Sequence, residues 1–276
     1  MWRSPLWRFL LGALSACSLL ASTVARPGKG SKKRWNVKHG NLARMQVGLF
    51  VPCFVDELWP RAARAAVEVM EALGYEPGIG KAACCGQVLA NAGDRPGAEA
   101  VRAVWASDHR RFETVLVLSA SCCGHLRTGA PDRVPVGQTP ADEAPRVREF
   151  CEWLVECAPA EFPARVDRRL ALHPSCSALR ETGTAEATRE VLRRIPGLEI
   201  VDPSRPDECC GFGGTFATEF SELSVEMGAS KVRDLLTNGV DGVVSADCSC
   251  LLHLAALAPQ HVPFFHVAEL CREAIA

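Results

Sequence analysis

Glu208 to Phe216 reads ECCGFGGTF, and Cys84-Cys85-Gly86-Gln87 carries the core of the same phrase earlier in the chain. What flanks the two phrases repeats as well. Upstream of the first, the apolar run Gln46 to Val51 reads as a buried strand and ends at Cys53. A helical stretch follows from Pro60 to Leu73, with Ala63, Val67, Met70 and Leu73 on one face, and Gly74 closes it. Downstream, a helical stretch from about Arg95 to Arg111 leads to the strand Thr114 to Leu118, then Ser119-Ala120-Ser121-Cys122. Around the second phrase the order recurs. The strand Leu170 to His173 runs into Cys176, and a helix spans about Thr184 to Arg194 before Pro196-Gly197. A long helix from about Ser221 to Leu236 leads to the strand Gly242 to Ser245, then Asp247-Cys248-Ser249-Cys250.

The spacings agree between the copies. Cys53 to Cys84 is 31 positions and Cys176 to Cys209 is 33, while Cys85 to Cys122 is 37 and Cys210 to Cys250 is 40. A doubled order of strand–Cys, CCG, strand–Cys at matched lengths is an internal repeat. Short apolar strands alternating with helices predict an α/β fold of two similar halves, each a small parallel sheet flanked by helices. Such sheets gather ligands at the carboxyl ends of their strands, where Cys53, Cys122, Cys176 and Cys250 fall. The expected boundaries are a first half at 45–128, a Pro/Gly-rich linker at 129–145 and a second half at 146–276.

Composition narrows the chemistry. The chain has 276 residues, 48% hydrophobic and 23% charged, which suits a globular protein with a real core. Its 14 cysteines are the unusual feature, and they include three adjacent pairs. Adjacent cysteines bridge to each other only with strain, and disulfide scaffolds are much shorter chains. In a reducing compartment, clustered thiols therefore read as metal ligands or catalytic groups. Nine of the 31 basic residues and none of the 32 acidic ones lie in residues 1–44, leaving 22 basic against 32 acidic in the rest, a net of −10. An acidic body is not a nucleic-acid surface. The basic head resembles a signal peptide, with Arg3 and Arg8 before an uncharged run and a lipoprotein-like Leu14-Ser15-Ala16-Cys17. The reading preferred here is a misassigned start, with translation beginning at Met45, a cytoplasmic location and no stable membrane insertion; export or lipidation is the alternative.

Thiolates select zinc or iron–sulfur clusters. Neither half has the clean CxxC knuckles of structural zinc, and a vicinal pair reaches two metals more readily than it chelates one. The candidate ligands are Cys53, Cys84, Cys85 and Cys122 in the first half and Cys176, Cys209, Cys210 and Cys250 in the second. Gly86 and Gly211 leave room for the backbone to approach and donate N–H groups to sulfur. Cys123 and Cys248 are adjacent spares. Cys151, Cys157 and Cys271 lie in apolar helical contexts and read as small core residues. His173 reads as a hydrogen-bonded structural histidine, and His125, His253, His261 and His266 carry no pattern. No Gly-rich dinucleotide fingerprint follows a strand, so flavin or nicotinamide is expected on a partner.

Six pieces, Phe50-Val51-Pro52-Cys53, Cys84 to Gln87, Ser119 to Cys122, His173-Pro174-Ser175-Cys176, ECCGFGGTF and Ala246 to Leu251 (ADCSCL), carry a family resemblance. The chain from Met45 onward resembles the cysteine-rich (CCG) domain family of heterodisulfide reductases and of glycolate oxidase iron–sulfur subunits, and most of all its lactate utilisation protein A type. The resemblance implies an iron–sulfur cluster, expected to be 4Fe-4S. It also implies an electron-transfer role in an L-lactate or other 2-hydroxy-acid oxidation complex, with other subunits as partners and no catalysis by this chain alone. The fullest form of that motif ends in CxxC. Here Ser119 and Asp247 stand at the first position of the pair, so each half offers about four matching thiols rather than five, and Asp247 is left to ligate through oxygen or to hydrogen-bond. A cluster-based thiol–disulfide reductase and a zinc-binding structural protein are the competing functions.

Overall fold

The computed structural model describes residues 46–128, 145–237 and 239–275; the basic head, Met45, Cys17 and all of the expected linker except Pro145 lie outside them. The first half runs β1 (Val47–Phe50), α1 (Cys53–Leu58), α2 (Pro60–Ala72), β2 (Gly78–Ile79), α3 (Gln87–Asn91), α4 (Arg95–His109), β3 (Thr114–Val117), α5 (Ala120–Thr128) and β4 (Arg146–Glu149). After α6 (Phe150–Cys157) come β5 (Arg168–Leu172), α7 (Cys176–Arg180), α8 (Ala185–Arg193), β6 (Leu198–Val201), α9 (Phe216–Glu219), α10 (Ser221–Leu236), β7 (Gly242–Ser245), α11 (Cys248–Leu257), β8 (Phe264–His266) and α12 (Val267–Ile275).

Two four-stranded sheets result, ordered β2-β1-β3-β4 and β6-β5-β7-β8, with every pairing parallel. This is the α/β architecture of two similar halves that the repeat predicts. The inner strands β1, β3 and β7 are buried along their whole length, which is why they read as unbroken apolar runs. Side chains alternate across each sheet. Leu49, Leu116 and Leu118 enter a core shared with Leu170, Leu172 and Val243 of the second half. Phe50, Val115 and Val117 enter a second core on the other face, with Trp105 and Phe112. In both sheets the chain leaves the first strand toward one edge and later crosses to the other. The crevice outside the carboxyl ends of β1 and β3, and of β5 and β7, is where such a sheet opens to a ligand.

The halves are tied by exchanged helices. α6 follows the last strand of the first sheet but packs on α8 of the second half, while α12 follows the last strand of the second sheet and packs on α2 of the first. α2 buries Ala62, Ala63, Ala65 and Ala66, and α12, which packs against it, buries Ala268, Cys271 and Ala274. Small residues on both sides allow close approach of the backbones. At the rim, Glu269 of α12 accepts from Trp59 Nε1 at 2.9 Å and pairs with Arg61 at 2.8 Å. Cys151, Cys157 and Cys271 sit in the shared core. Among the described residues no helix is long and apolar enough to cross a membrane.

The edge strands are what the repeat does not announce. β2 is two residues long, and β4 is Arg-Val-Arg-Glu, three polar residues of which Arg148 and Glu149 are nonetheless buried, so it lacks the apolar run by which the inner strands were read. β4 begins at 146, the expected start of the second half, yet it pairs in register with β3 of the first sheet, Thr114 opposite Arg146 and Val117 opposite Glu149.

Glu149 ends β4 fully buried and caps α6, its carboxylate accepting the amides of Cys151 at 2.7 Å and Glu152 at 3.2 Å. Its other oxygen has no hydrogen-bond partner among the described residues. Burial raises its pKa from 4.5 to about 8, against the two amide donors and with help from the Glu152 charge. The folded chain therefore holds a proton that the unfolded chain releases, and stability falls as pH rises from about 4.5 to about 8. Glu149→Gln keeps an acceptor for both amides and cannot ionise. Urea unfolding of the metal-free chain should show the variant gaining on the wild type across that window, with no gain near pH 4. A pH-independent difference would refute the account.

Candidate metal centre

Each expected ligand reaches the crevice by a local device that both halves share. β1 ends at Phe50, Pro52 holds the backbone extended and Cys53 opens α1. β5 ends at Leu172, Ser175 accepts the Ala178 amide at 3.2 Å as N-cap, and Cys176 opens α7. Cys122 and Cys250 occupy the third positions of α5 and α11. All four thiols thus lie in first helical turns, where unpaired amides favour negative charge. The segments leading into the vicinal pairs are anchored from below. Asp108 on α4 accepts the amides of Lys81 and Ala82, and Asp234 on α10 accepts those of Ser204 at 3.0 Å and Arg205 at 3.1 Å.

The glycine of each CCG is required twice over. Gly86 has φ +92° and Gly211 φ +87°, the left-handed region that an L side chain rarely adopts. A Cβ at Gly86 would meet the Ala98 carbonyl oxygen at 2.8 Å, and one at Gly211 the Ser224 carbonyl oxygen at 2.7 Å. The turn folds the amide back, so Gly86 N donates to Cys84 Sγ and Gly211 N to Cys209 Sγ, each at 3.4 Å. The close approach is therefore to the next helix, while the N–H donation goes to sulfur as the sequence suggested.

Four thiols converge in each half. Cys85 and Cys122 Sγ are 3.3 Å apart, and Cys210 and Cys250 Sγ are 3.2 Å apart, too long for disulfides; all eight are free. Cys53 shares its proton with Cys84, which lowers the Cys84 pKa against the effect of burial and raises that of Cys53. Cys176 and Cys210 do the same for Cys209, which is held well below an ordinary thiol. The first cysteine of each pair is thus the favoured thiolate, while Cys53, Cys122, Cys176, Cys210 and Cys250 resist ionising beside it. All eight line one cleft of about 250 Å³ between the halves, with Ser119, Asp247 and Phe212 also on its wall. Phe54 meets Phe212 edge to face across it, with ring centroids 5.3 Å apart. The donor set is dominated by crowded thiols, so the residues present fit a soft metal or an iron–sulfur cluster.

The two positions that depart from CxxC find each other. Asp247, 1% exposed, accepts from Ser119 Oγ at 3.3 Å, from the Ser121 amide at 3.1 Å and from Ser249 Oγ at 2.8 Å. Both oxygens accept hydrogen bonds, and two of the three donors come from the other half. Of the spare cysteines, Cys123 is buried in the core behind the first sheet, whereas Cys248 lines the cleft.

His173 departs from its expected role. It is buried, yet neither ring nitrogen has a hydrogen-bond partner among the described residues. One of them lies, with Cys210 Sγ and Cys250 Sγ, in a group whose atoms are all within 4.8 Å of one another. Burial, helped by the nearby Lys231 charge, lowers its pKa to about 3, so the imidazole is neutral. The signal was in the sequence: His173 stands three before Cys176, where the first half has Phe50 three before Cys53.

Comparison with known proteins places this geometry. The cysteine-rich domain family (CCG) matches residues 47–127 and 170–255, the two crevice-forming repeats. Lactate utilization protein A of Macrococcus caseolyticus is 34% identical over 216 residues, covering 76% of this chain and 88% of that protein. The protein of the same description from a Geobacillus species is 31% identical, covering 82% and 98%; that of Bacillus cereus is 30% identical over the same shares. A crystal structure of a hypothetical protein from Helicobacter pylori has the same fold, with a TM-score of 0.64 at 9% identity, covering all of this chain and 55% of that one. With its doubled CCG turns, paired parallel sheets and relatives at this identity over most of their length, the chain belongs to the cysteine-rich domain (CCG) family and, within it, to the family of the lactate utilization protein A proteins.

Proposed function

We propose that Cys53, Cys84, Cys85 and Cys122 hold one iron–sulfur cluster, and Cys176, Cys209, Cys210 and Cys250 another, each of the 4Fe-4S type. The chain then serves as a cytoplasmic electron-transfer subunit in the oxidation of L-lactate or a related 2-hydroxy acid, alongside the other subunits of that system. The observation that carries this reading is the convergence of four thiols at the strand ends of each half, facing one cleft. The name shared by the relatives supports the substrate class. Such clusters, when bound, accept and release single electrons.

The chain's own residues hold and insulate. Gly86 and Gly211 amides donate to thiolate sulfur, and such donors tune what the sulfur can hold. Cys53, Cys84, Cys176 and Cys209 remain partly exposed at the cleft, which suits exchange with a partner at the surface. Removing a hydride from a hydroxy acid needs a two-electron acceptor and a positioned base. The sequence has no phosphate-cradling loop for such an acceptor, so that step is assigned to a partner. Reconstitution tests the division of labour. The chain purified without oxygen should be brown, with iron and acid-labile sulfide, and should reduce no dye with lactate by itself. Lactate should bleach its colour only once the partner subunits are added. Steady turnover by this chain alone would overturn the relay, and a colourless zinc-loaded chain would overturn the clusters.

A further inference from the structure

The halves agree in their thiols and differ behind them. Matching them on the cysteines sets Phe50 against His173. Matching them on the carbonyl that each CCG glycine faces sets Ala98 against Ser224. That register places Trp105 opposite Lys231 and Asp108 opposite Asp234. The last pairing checks it, since each aspartate accepts two amides of the segment entering its own CCG turn. In the first half the place is filled by Phe50 edge to face with Trp105 at 5.9 Å, and the first half's own buried imidazole, His109, stacks on Trp105 at 4.8 Å and hydrogen-bonds its carbonyl. In the second half the same place holds an imidazole and an ammonium, both buried.

We propose that His173 is a positioning residue for the second site, its ring N–H directed at the sulfur held by Cys210 and Cys250, and that it makes this the higher-potential site of the pair. The inference rests on the cluster reading above. Three observations carry it. Both ring nitrogens are buried without a hydrogen-bond partner among the described residues, a deficit that a further group beside them would satisfy. A ring nitrogen lies within 4.8 Å of both sulfur atoms. Behind it, Lys231 is fully buried, donating to the Arg205 carbonyl and to Asp234 Oδ2 at 3.3 Å. The first half has the same aspartate with Trp105 in place of the ammonium, so the second site has one more buried positive charge around it. A donor at sulfur and a nearby buried cation both favour the extra negative charge of the reduced form. Within one chain, the first site would lose one electron and the second would gain it, with no bond made or broken.

The experiment is a dithionite titration of the full chain, loaded anaerobically with iron and sulfide and followed by electron paramagnetic resonance, on wild type, H173F and H173Q. Wild type should show two separate reduction steps. H173F, which installs the first half's residue, should keep its iron, move the upper step down toward the lower one and leave the lower unmoved. H173Q, which restores an N–H donor, should recover most of the separation. Unmoved steps in H173F, both steps moving together, or a single step in wild type would overturn the inference. Loss of iron from both variants would also overturn it, since His173 would then hold the site rather than tune it. A wild-type chain that takes up no iron would instead refute the cluster reading itself.

Discussion

Cys210→Ser should cost the chain about half of its iron and acid-labile sulfide, because it disables one of two separate thiol sets. Cys210 is 3% exposed, 3.2 Å from Cys250, and one of the two thiols that hydrogen-bond to Cys209. A hydroxyl in its place is a harder and far less acidic ligand, and it leaves three thiols facing a buried space. The first set shares none of these atoms and should stay loaded. Because ligation free energy is also folding free energy, the thermal midpoint of the loaded variant should fall toward that of the metal-free chain. Cys209→Ser should behave alike. Cys123→Ser is the control: Cys123 is as buried as Cys210 but lies in the core behind the first sheet, so iron should be unchanged. Full iron in both Cys209 and Cys210 variants would remove them from the site.

Gly211→Ala should destabilise the metal-free chain on the order of 3 kcal/mol, the sum of a strained backbone and an overpacked contact. At φ +87°, the new Cβ would stand 2.7 Å from the Ser224 carbonyl oxygen and 2.8 Å from Met227 Cβ, and the carbonyl belongs to α10 and cannot step aside. Gly183 separates the two contributions. Its φ is +68° with nothing within 4 Å of the place a methyl group would take, so Gly183→Ala should cost only the conformational part, about 1–2 kcal/mol. Urea unfolding of the two variants decides between them. Equal losses would mean that the glycine of the CCG turn is needed for its backbone angle alone, not for the approach of the helix.

The inner strands and long helices were legible because their signals are local. β7 matches the expected Gly242 to Ser245 and α10 the expected Ser221 to Leu236, since a buried parallel strand writes an unbroken apolar run and a long helix its own periodicity. The edge strands were not legible. Arg146–Glu149 joins the first sheet across residues 129–144, and nothing in Arg-Val-Arg-Glu announces pairing with Thr114–Val117. The exchange of α6 and α12 between the halves was invisible for the same reason: an apolar helix face records that it is covered, not by which half.

The site divides along the same line. The doubled CCG phrase and its spacing were enough, without coordinates, to single out eight candidate thiols, four to each half, and to place Cys53, Cys122, Cys176 and Cys250 at strand ends, because those signals are local in the chain. Only the tertiary structure decided what those thiols meet. Ser119 and Asp247, singled out in the sequence as missing cysteines, bond to each other across 128 positions. His173, expected to be a hydrogen-bonded structural residue, has no partner for either ring nitrogen among the described residues and lies beside Cys210 and Cys250. The physical reason is range. Backbone conformation is set by neighbours in the chain, whereas the partner of a buried polar atom is set by which surfaces are pressed together, and that is a property of the packed halves.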